Sequence, residues 1–284
     1  PASLISVLYK GNIVKYANSL LALLKHPASI IFMSMLGFYI LLLLFKADKW
    51  LAIAGALAYG FSTYSFFILA AGHNTKALAI AYMAPMIGGI YYCYRRNAIK
   101  GAIITTLFLT LEIIANHPQI TYYSFICILV FLIAEFIFAV RNKEFRQFIK
   151  SSLILIIPLV LSVGMNFNSL YTTYEYGKYS SRGKSDLATN DPQKTSGLDK
   201  DYITQWSYGI DETFTLLVPD FRGGACQPFD SNSETVKALR KNNAGQYIKQ
   251  FQMYWGSQPW VDGTVYVGAI VFFLFILGII IIKG

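Results

Sequence analysis

Seven long apolar runs govern what this chain can fold into. They fall at about 28–45, 50–70, 77–94, 99–116, 119–140, 151–171 and 263–282. Each approaches the ~20 apolar residues that a helix needs to cross a hydrocarbon layer roughly 30 Å thick. Backbone in lipid must satisfy its own amide groups, so such runs fold as helices. Hydrophobic residues make up 55% of the 284 and charged residues 14%, with a mean hydropathy of +0.46. These figures exclude disorder, a coiled coil and collagen-like repeats. The expectation is an all-α integral membrane protein with about seven transmembrane helices. No short apolar stretch with a small-residue cleavage site opens the chain. A start at Pro1 and a stop at Lys283-Gly284, just after an apolar run, read as a piece of a longer membrane protein.

The net charge of +9 would point to nucleic acid in a soluble chain. Here the basic residues cluster in short loops between apolar runs, so membrane orientation explains them and no nucleic-acid partner is expected. Lys46, Lys49, Arg95, Arg96, Lys100, Arg141, Lys143, Arg146 and Lys150 put nine cations on one side, while the alternate loops 71–76 and 116–118 hold only Lys76. That bias places the first set in the cytoplasm, and the N-terminal segment, both alternate loops and residues 172–262 outside. Cys93 and Cys127 lie in apolar runs and Cys226 in a polar stretch, so no disulfide framework is implied.

Four regions follow: an external loop at 1–27, a six-span bundle at 28–171, an external cap at 172–262 and a seventh span at 263–284. In the first, Ile13, Tyr16, Ala17, Leu20, Leu21 and Leu24 recur at helical spacing opposite Lys15, Asn18 and Lys25. A helix lying in the membrane surface fits that spacing, and so does an ordinary amphipathic packing helix. The cap segment is 91 residues long, too many for a plain connector, and holds three of the four Trp. It is expected to fold, partly irregularly, over the outer ends of the helices.

Polar residues gather at that outer face. The second run leads into Gly72-His73-Asn74-Thr75-Lys76. The fourth carries Glu112 one turn before Asn116-His117-Pro118-Gln119, and the sixth ends in Asn166, Asn168 and the tract from Tyr171 to Ser185. An ionisable group inside a span is costly and marks a function by default. Glu112 and Asn116 share a helical face, although a carboxyl paired with a neighbouring helix would look the same in sequence. Glu135 lies nearer the cytoplasmic end, where snorkelling toward Arg141 accounts for it. His73 and His117 fit either a site or the capping of a turn. Neither His nor Cys has zinc-ligand spacing, so no cofactor is expected and a divalent metal is not indicated. Nucleotide-binding loops, Gly-x-Ser-x-Gly and HExxH are absent from the sequence.

Cations at headgroup level can hold a lipid phosphate, cap aromatics can stack on sugar faces, and a carboxylate can take a proton from an acceptor hydroxyl. These parts fit glycosyl transfer from a polyprenyl-phosphate sugar. Less specifically they fit a transporter or flippase of lipid-linked substrates, and a non-catalytic scaffold would need only the cap.

Gly72-His73-Asn74-Thr75-Lys76, Ala115-Asn116-His117-Pro118-Gln119-Ile120-Thr121-Tyr122-Tyr123, and Thr172-Thr173-Tyr174-Glu175-Tyr176 through Arg182-Gly183-Lys184-Ser185 resemble the YfhO-like family of bacterial membrane proteins, in its Bacteroidota form. Glu212 to Pro219, Phe221-Arg222-Gly223-Gly224, Tyr254-Trp255-Gly256 and Gln258-Pro259 extend the likeness over nearly the whole chain. The family is similar to GT-C glycosyltransferases. The resemblance therefore implies a GT-C-like fold in the bacterial cytoplasmic (inner) membrane, a polyprenyl-phosphate sugar donor and an envelope glycan or lipid acceptor. Within that reading, residue chemistry and placement make Lys76, Arg182 and Lys184 the expected donor-phosphate contacts, in a pocket shaped by His73, Asn74, Asn116 and His117. Glu112 or Glu175 would serve as base or orienter, with Gln119, Tyr174, Glu212, Arg222 and Trp255 among the substrate contacts. The usual GT-C catalytic carboxylate belongs to the first external loop, in which this sequence begins, and Ser257 stands where the family often has an acid after Trp-Gly.

Overall fold

The computed structural model describes residues 24–180, 200–261, 263 and 265–282. The expected amphipathic segment at 10–25 lies almost wholly outside them. The chain is mostly helical. Its longer helices are α1 (Ala28–Leu44), α2 (Lys49–Gly60), α3 (Thr63–Ala70), α4 (Asn74–Arg95), α5 (Ala98–Ile114), α6 (Pro118–Arg141), α7 (Phe145–Met165) and α8 (Phe167–Lys178). Then follow α9 (Lys200–Thr204), a 3-10 helix (Asp211–Leu216), β1 (Gly223–Pro228), α10 (Glu234–Lys241), a second 3-10 helix (Gly245–Gln250), β2 (Gln252–Tyr254) and α11 (Ala269–Ile281).

Three helices, α4, α6 and α7, are long and apolar enough to cross a membrane, and α2 with α3 makes a fourth if the pair counts as one span. This marks the chain as a membrane protein. Helices α1, α5 and α11 are shorter, at 17, 17 and 13 residues. The expected run 50–70 is broken at Phe61-Ser62, and 151–171 becomes α7, beginning earlier, followed by a break at Asn166 and α8. Local chemistry sets several starts. Asp48 accepts from the Trp50 and Leu51 amides, Asn97 from Lys100, and Ser233 from Val236, satisfying amides that a first turn leaves open. Pro118 opens α6, where its missing N–H costs nothing.

Contacts divide the chain into two compact units, Pro1–Phe61 with Gly72–Tyr176, and Ser62–Ala71 with Gly177–Gly284. In the first, α4 packs against α1 and α5, and α5 against α7. Met86, Ile90, Leu109 and Ile113 form its buried core. Small residues let backbones approach: a Cβ on Gly37 would strike Ala81 O, and one on Gly101 would strike Cys93. Such close approach drives helix association where lipid supplies no hydrophobic contrast. A buried polar ladder adds to it. Thr110 donates to Ser162 at 3.0 Å, Ser162 to Thr106 O at 3.2 Å, and Asn166 to Thr110 O at 3.3 Å.

The second unit groups α3 with the cap and α11, where the sequence had placed residues 62–71 in the six-span bundle. A cause is visible: the Tyr266 amide donates to Thr63 Oγ1 at 2.7 Å, and Gly263 packs on the Phe67 ring. The cap also departs from a purely α chain. Strands β1 and β2 pair antiparallel, with Gly223 opposite Tyr254 and Pro228 opposite Gln252.

Candidate functional site

One end of the first unit collects the polar motifs of three chain segments. Asn116 follows the last turn of α5 with φ of 53°, the left-handed position that ends many helices and that Asn tolerates better than most residues. The tight turn then feeds Pro118 into α6. Ala115 and Ile120 on either side of it pack on Ala79 of α4, all three buried. That packing brings the first turn of α4, with His73 before it and Asn74 and Lys76 within it, to the Asn116–Gln119 turn. From α8, Thr173 donates to Asn116 Oδ1 at 3.4 Å, which carries Tyr174 and Glu175 to the same end.

The side chains there divide by access. His73, Asn116, Gln119 and Tyr174 are exposed, while Asn74, Lys76, His117 and Glu175 are half-buried. His26 Nε2 donates to Asn74 Oδ1 at 2.9 Å, and Gln119 Nε2 to the Tyr123 hydroxyl at 2.8 Å. Half-buried Glu175 and His117 keep reach to the surface with part of their hydration removed, the setting in which acids, bases and donors act most strongly.

Glu112 differs. Its exposure is 0%, a setting that suits the orienting half of the expected base-or-orienter role. Its Oε1 accepts from Ser124 at 2.7 Å, Thr121 lies near it, and Oε2 is buried with no hydrogen-bond partner among the described residues. Glu112 is a buried link between α5 and α6 behind the exposed cluster. Sequence reading missed Ser124. The available signal was symmetry: Glu112 and Ser124 stand six residues before and after Pro118, and residues equidistant from a tight helical turn face each other. At the opposite end, Glu135 pairs with Arg95 at 2.9 Å, not with Arg141. The Arg95 guanidinium lies 3.6 Å from the Phe138 ring centroid.

The cap residues form a second cluster, within the second unit. Glu212 is 2% exposed and accepts from the Tyr254 hydroxyl and the Gly209 amide. The turn after β2 closes over it: the Gln258 amide donates to the Tyr254 oxygen at 2.9 Å, and any Cβ on Gly256 would strike Glu212 and Tyr254. Burial, and then the bond to Glu212, push the Tyr254 phenol up to about 12. Arg222 pairs with Asp211, which the sequence reading had not named, and its carbonyl accepts from Trp255 at 2.8 Å. Glu212 is thus a hidden anchor, whereas the Trp255 ring is 60% exposed and able to stack. Arg182 and Lys184 lie outside the described residues. Among the described residues no three His, Cys, Asp or Glu are grouped as a metal would need.

Fold and site together define a mostly helical membrane protein with a polar cluster at one end of its larger helical unit and a folded, aromatic-rich cap. Comparison with protein-family models, curated proteins and solved structures finds no match.

Proposed function

We propose that this chain belongs to a GT-C-like, seven-span glycosyltransferase of the YfhO-like type in the bacterial cytoplasmic membrane. It moves a sugar from a polyprenyl-phosphate donor to an envelope glycan or lipid acceptor on the external face. The observation that carries the reading is the meeting of the His73–Lys76, Asn116–Gln119 and Thr173–Glu175 segments at one helix-bundle end, where the motifs behind the resemblance become neighbours.

In this reading Lys76 contributes positive charge toward the donor phosphate, and Arg182 and Lys184, assigned from sequence, complete that charge. His73, Asn74 and Asn116 offer hydrogen bonds to sugar hydroxyls. Glu175 and His117 are the groups with access to orient the acceptor or take its proton. Glu112 acts from behind by fixing α5 to α6 through Ser124, and so is a positioning residue. The cap presents Trp255 for stacking on a sugar face.

A flippase would need a free polar path through the helices. The Thr110–Ser162–Asn166 ladder and the Arg95–Glu135 pair instead spend their bonding on each other, which favours transfer over transport. The test is sugar transfer in proteoliposomes of the full-length protein supplied with a radiolabelled polyprenyl-phosphate sugar and envelope extract. Transfer lost in Glu175→Gln and His117→Ala, and kept in Glu112→Gln, supports the reading. Unchanged transfer in the first two removes the proposed cluster from the chemistry.

A further inference from the structure

The stretch from Ile210 to Phe221 in the second unit turns two polar side chains inward and its large apolar ones outward. Glu212 and Thr215 are buried at 2% and 1% exposure, while Thr213 and Asp220 stay exposed. Its large apolar ones face outward: Ile210 at 92%, Phe214 at 53%, Phe221 at 47%, and Leu217 and Val218 also exposed. Phe214 and Phe221 touch, with ring centroids 5.3 Å apart, so the two ends of the segment meet in one apolar surface. Water selects the reverse arrangement, and a patch of this kind marks a surface with a partner. Buried Thr215 bonds back to Glu212 O at 2.6 Å, and exposed Thr213 to Ile210 O at 2.5 Å.

The same unit joins this surface to an apolar helix. Leu216 O accepts from the Val267 amide at 3.3 Å, two residues before the apolar helix α11, whose Ile270, Phe273 and Phe275 are all exposed. Tyr266 bonds Thr63, and Gly263 packs on Phe67, so the chain entering α11 runs antiparallel to α3. Thr63 opens α3 and Ala70 closes it, a distance of roughly 10 Å at 1.5 Å per residue. The patch is therefore tied to the Thr63 end of α3, opposite its Ala70 end, and is continuous with the start of an apolar helix. Exposed Asp220 and the Asp211–Arg222 pair stand at its margins as a polar rim.

We propose that residues 210–221 form an interfacial wedge that inserts the cap into the lipid bilayer, with Phe214, Leu217, Val218 and Phe221 among the acyl chains just below the headgroups. Glu212, locked by Tyr254 and Gly209, turns the polar side of the segment into the cap and so orients the apolar side to lipid. The inference needs only that the chain spans a membrane, and holds or fails independently of the sugar chemistry.

The test uses the full-length protein in phosphatidylethanolamine/phosphatidylglycerol nanodiscs. Single bimane labels are placed through Phe214→Cys, Phe221→Cys and, on the charged helix α10, Lys237→Cys, with exposed Cys127 replaced by Ser. Lipids carrying a nitroxide high on the acyl chain should quench the labels at 214 and 221 at least twofold more than the label at 237. Equal quenching at all three positions overturns the wedge. So does disulfide cross-linking of Phe214→Cys between two copies, which would make the patch a protein interface, or burial of the 214 label from both lipid and aqueous quenchers, which would mean another part of the chain covers it.

Discussion

The Ser124 hydroxyl donates to Glu112 Oε1 at 2.7 Å, a buried bond that ties α5 to α6 just behind the Asn116-His117-Pro118 turn. It gives a buried ionisable residue a partner on the neighbouring helix, the contact behind the positioning role proposed for Glu112. Glu112→Gln keeps the volume and the acceptor oxygen, so its thermal midpoint in detergent should stay near wild type and transfer should persist. Ser124→Ala strands a buried acceptor and should cost about 1–3 kcal/mol, and Glu112→Ala about 2–4 kcal/mol once the cavity is added. Loss of transfer in a stably folded Glu112→Gln would return Glu112 to the chemistry.

Arg95 and Glu135 make a second link at the other end of the same unit, with Glu135 buried and Arg95 half-buried. Removing Arg95 leaves a buried carboxylate without its partner, so Arg95→Met should destabilise by about 1–3 kcal/mol, whereas Arg95→Met with Glu135→Leu should recover most of the loss. A double-mutant cycle in thermal unfolding reads this directly. Additive losses would show that the pair does not interact.

Much of the helical layout is legible in sequence because apolar length and Lys/Arg-bearing loops act locally. The starts of α2, α5 and α6 follow from Asp48, Asn97 and Pro118 in the same way. The clustering of His73, Asn116 and Thr173 follows once helices alternate, since each stands at the same end of its helix. What sequence hid depends on contacts between distant residues. Glu212, expected among the substrate contacts, is buried under Tyr254, 42 residues away. The β1–β2 ribbon carries no alternation to announce it, and the grouping of α3 with the cap rests on a bond between Thr63 and Tyr266 across 203 residues.

The Tyr254 phenol gives the cap an alkaline signature. Its ordinary value of 10.0 is raised to about 12 in the folded cap, so the folded state holds the proton more tightly than the unfolded one. Its contribution to stability is complete below pH 10 and is lost as the pH rises through about 12. Fluorescence of Trp206, Trp255 and Trp260 should report this loss of stability between those values. Tyr254→Phe should remove that step and weaken the cap by about 1–3 kcal/mol, because Glu212 loses a buried donor. An alkaline transition unchanged in Tyr254→Phe would assign the step to another group.

Orientation has its own check. The Lys/Arg bias in the sequence predicts position 97 inside and position 190 outside. An impermeant maleimide applied to intact cells should label Asn190→Cys and leave Asn97→Cys untouched until the cells are broken. The reverse pattern would invert the protein and move the polar cluster to the cytoplasmic side.

The sequence-derived phosphate role of Arg182 separates from mere surface charge by geometry. A planar two-pronged donor matches phosphate oxygens in a way that an ammonium cannot. Arg182→Lys should therefore lower transfer by about tenfold or more, about 1.4 kcal/mol in the barrier, while Lys184→Arg is tolerated. Equal wild-type rates for both variants would leave Arg182 a solvated charge.

Sugar transfer to the cell envelope is tested most directly by mass spectrometry of envelope glycans from cells with and without the gene. Deletion should remove one sugar residue from a defined glycan or lipid. Wild type and Glu112→Gln should restore it, and Glu175→Gln and His117→Ala should not. Identical glycan profiles with and without the gene would contradict it.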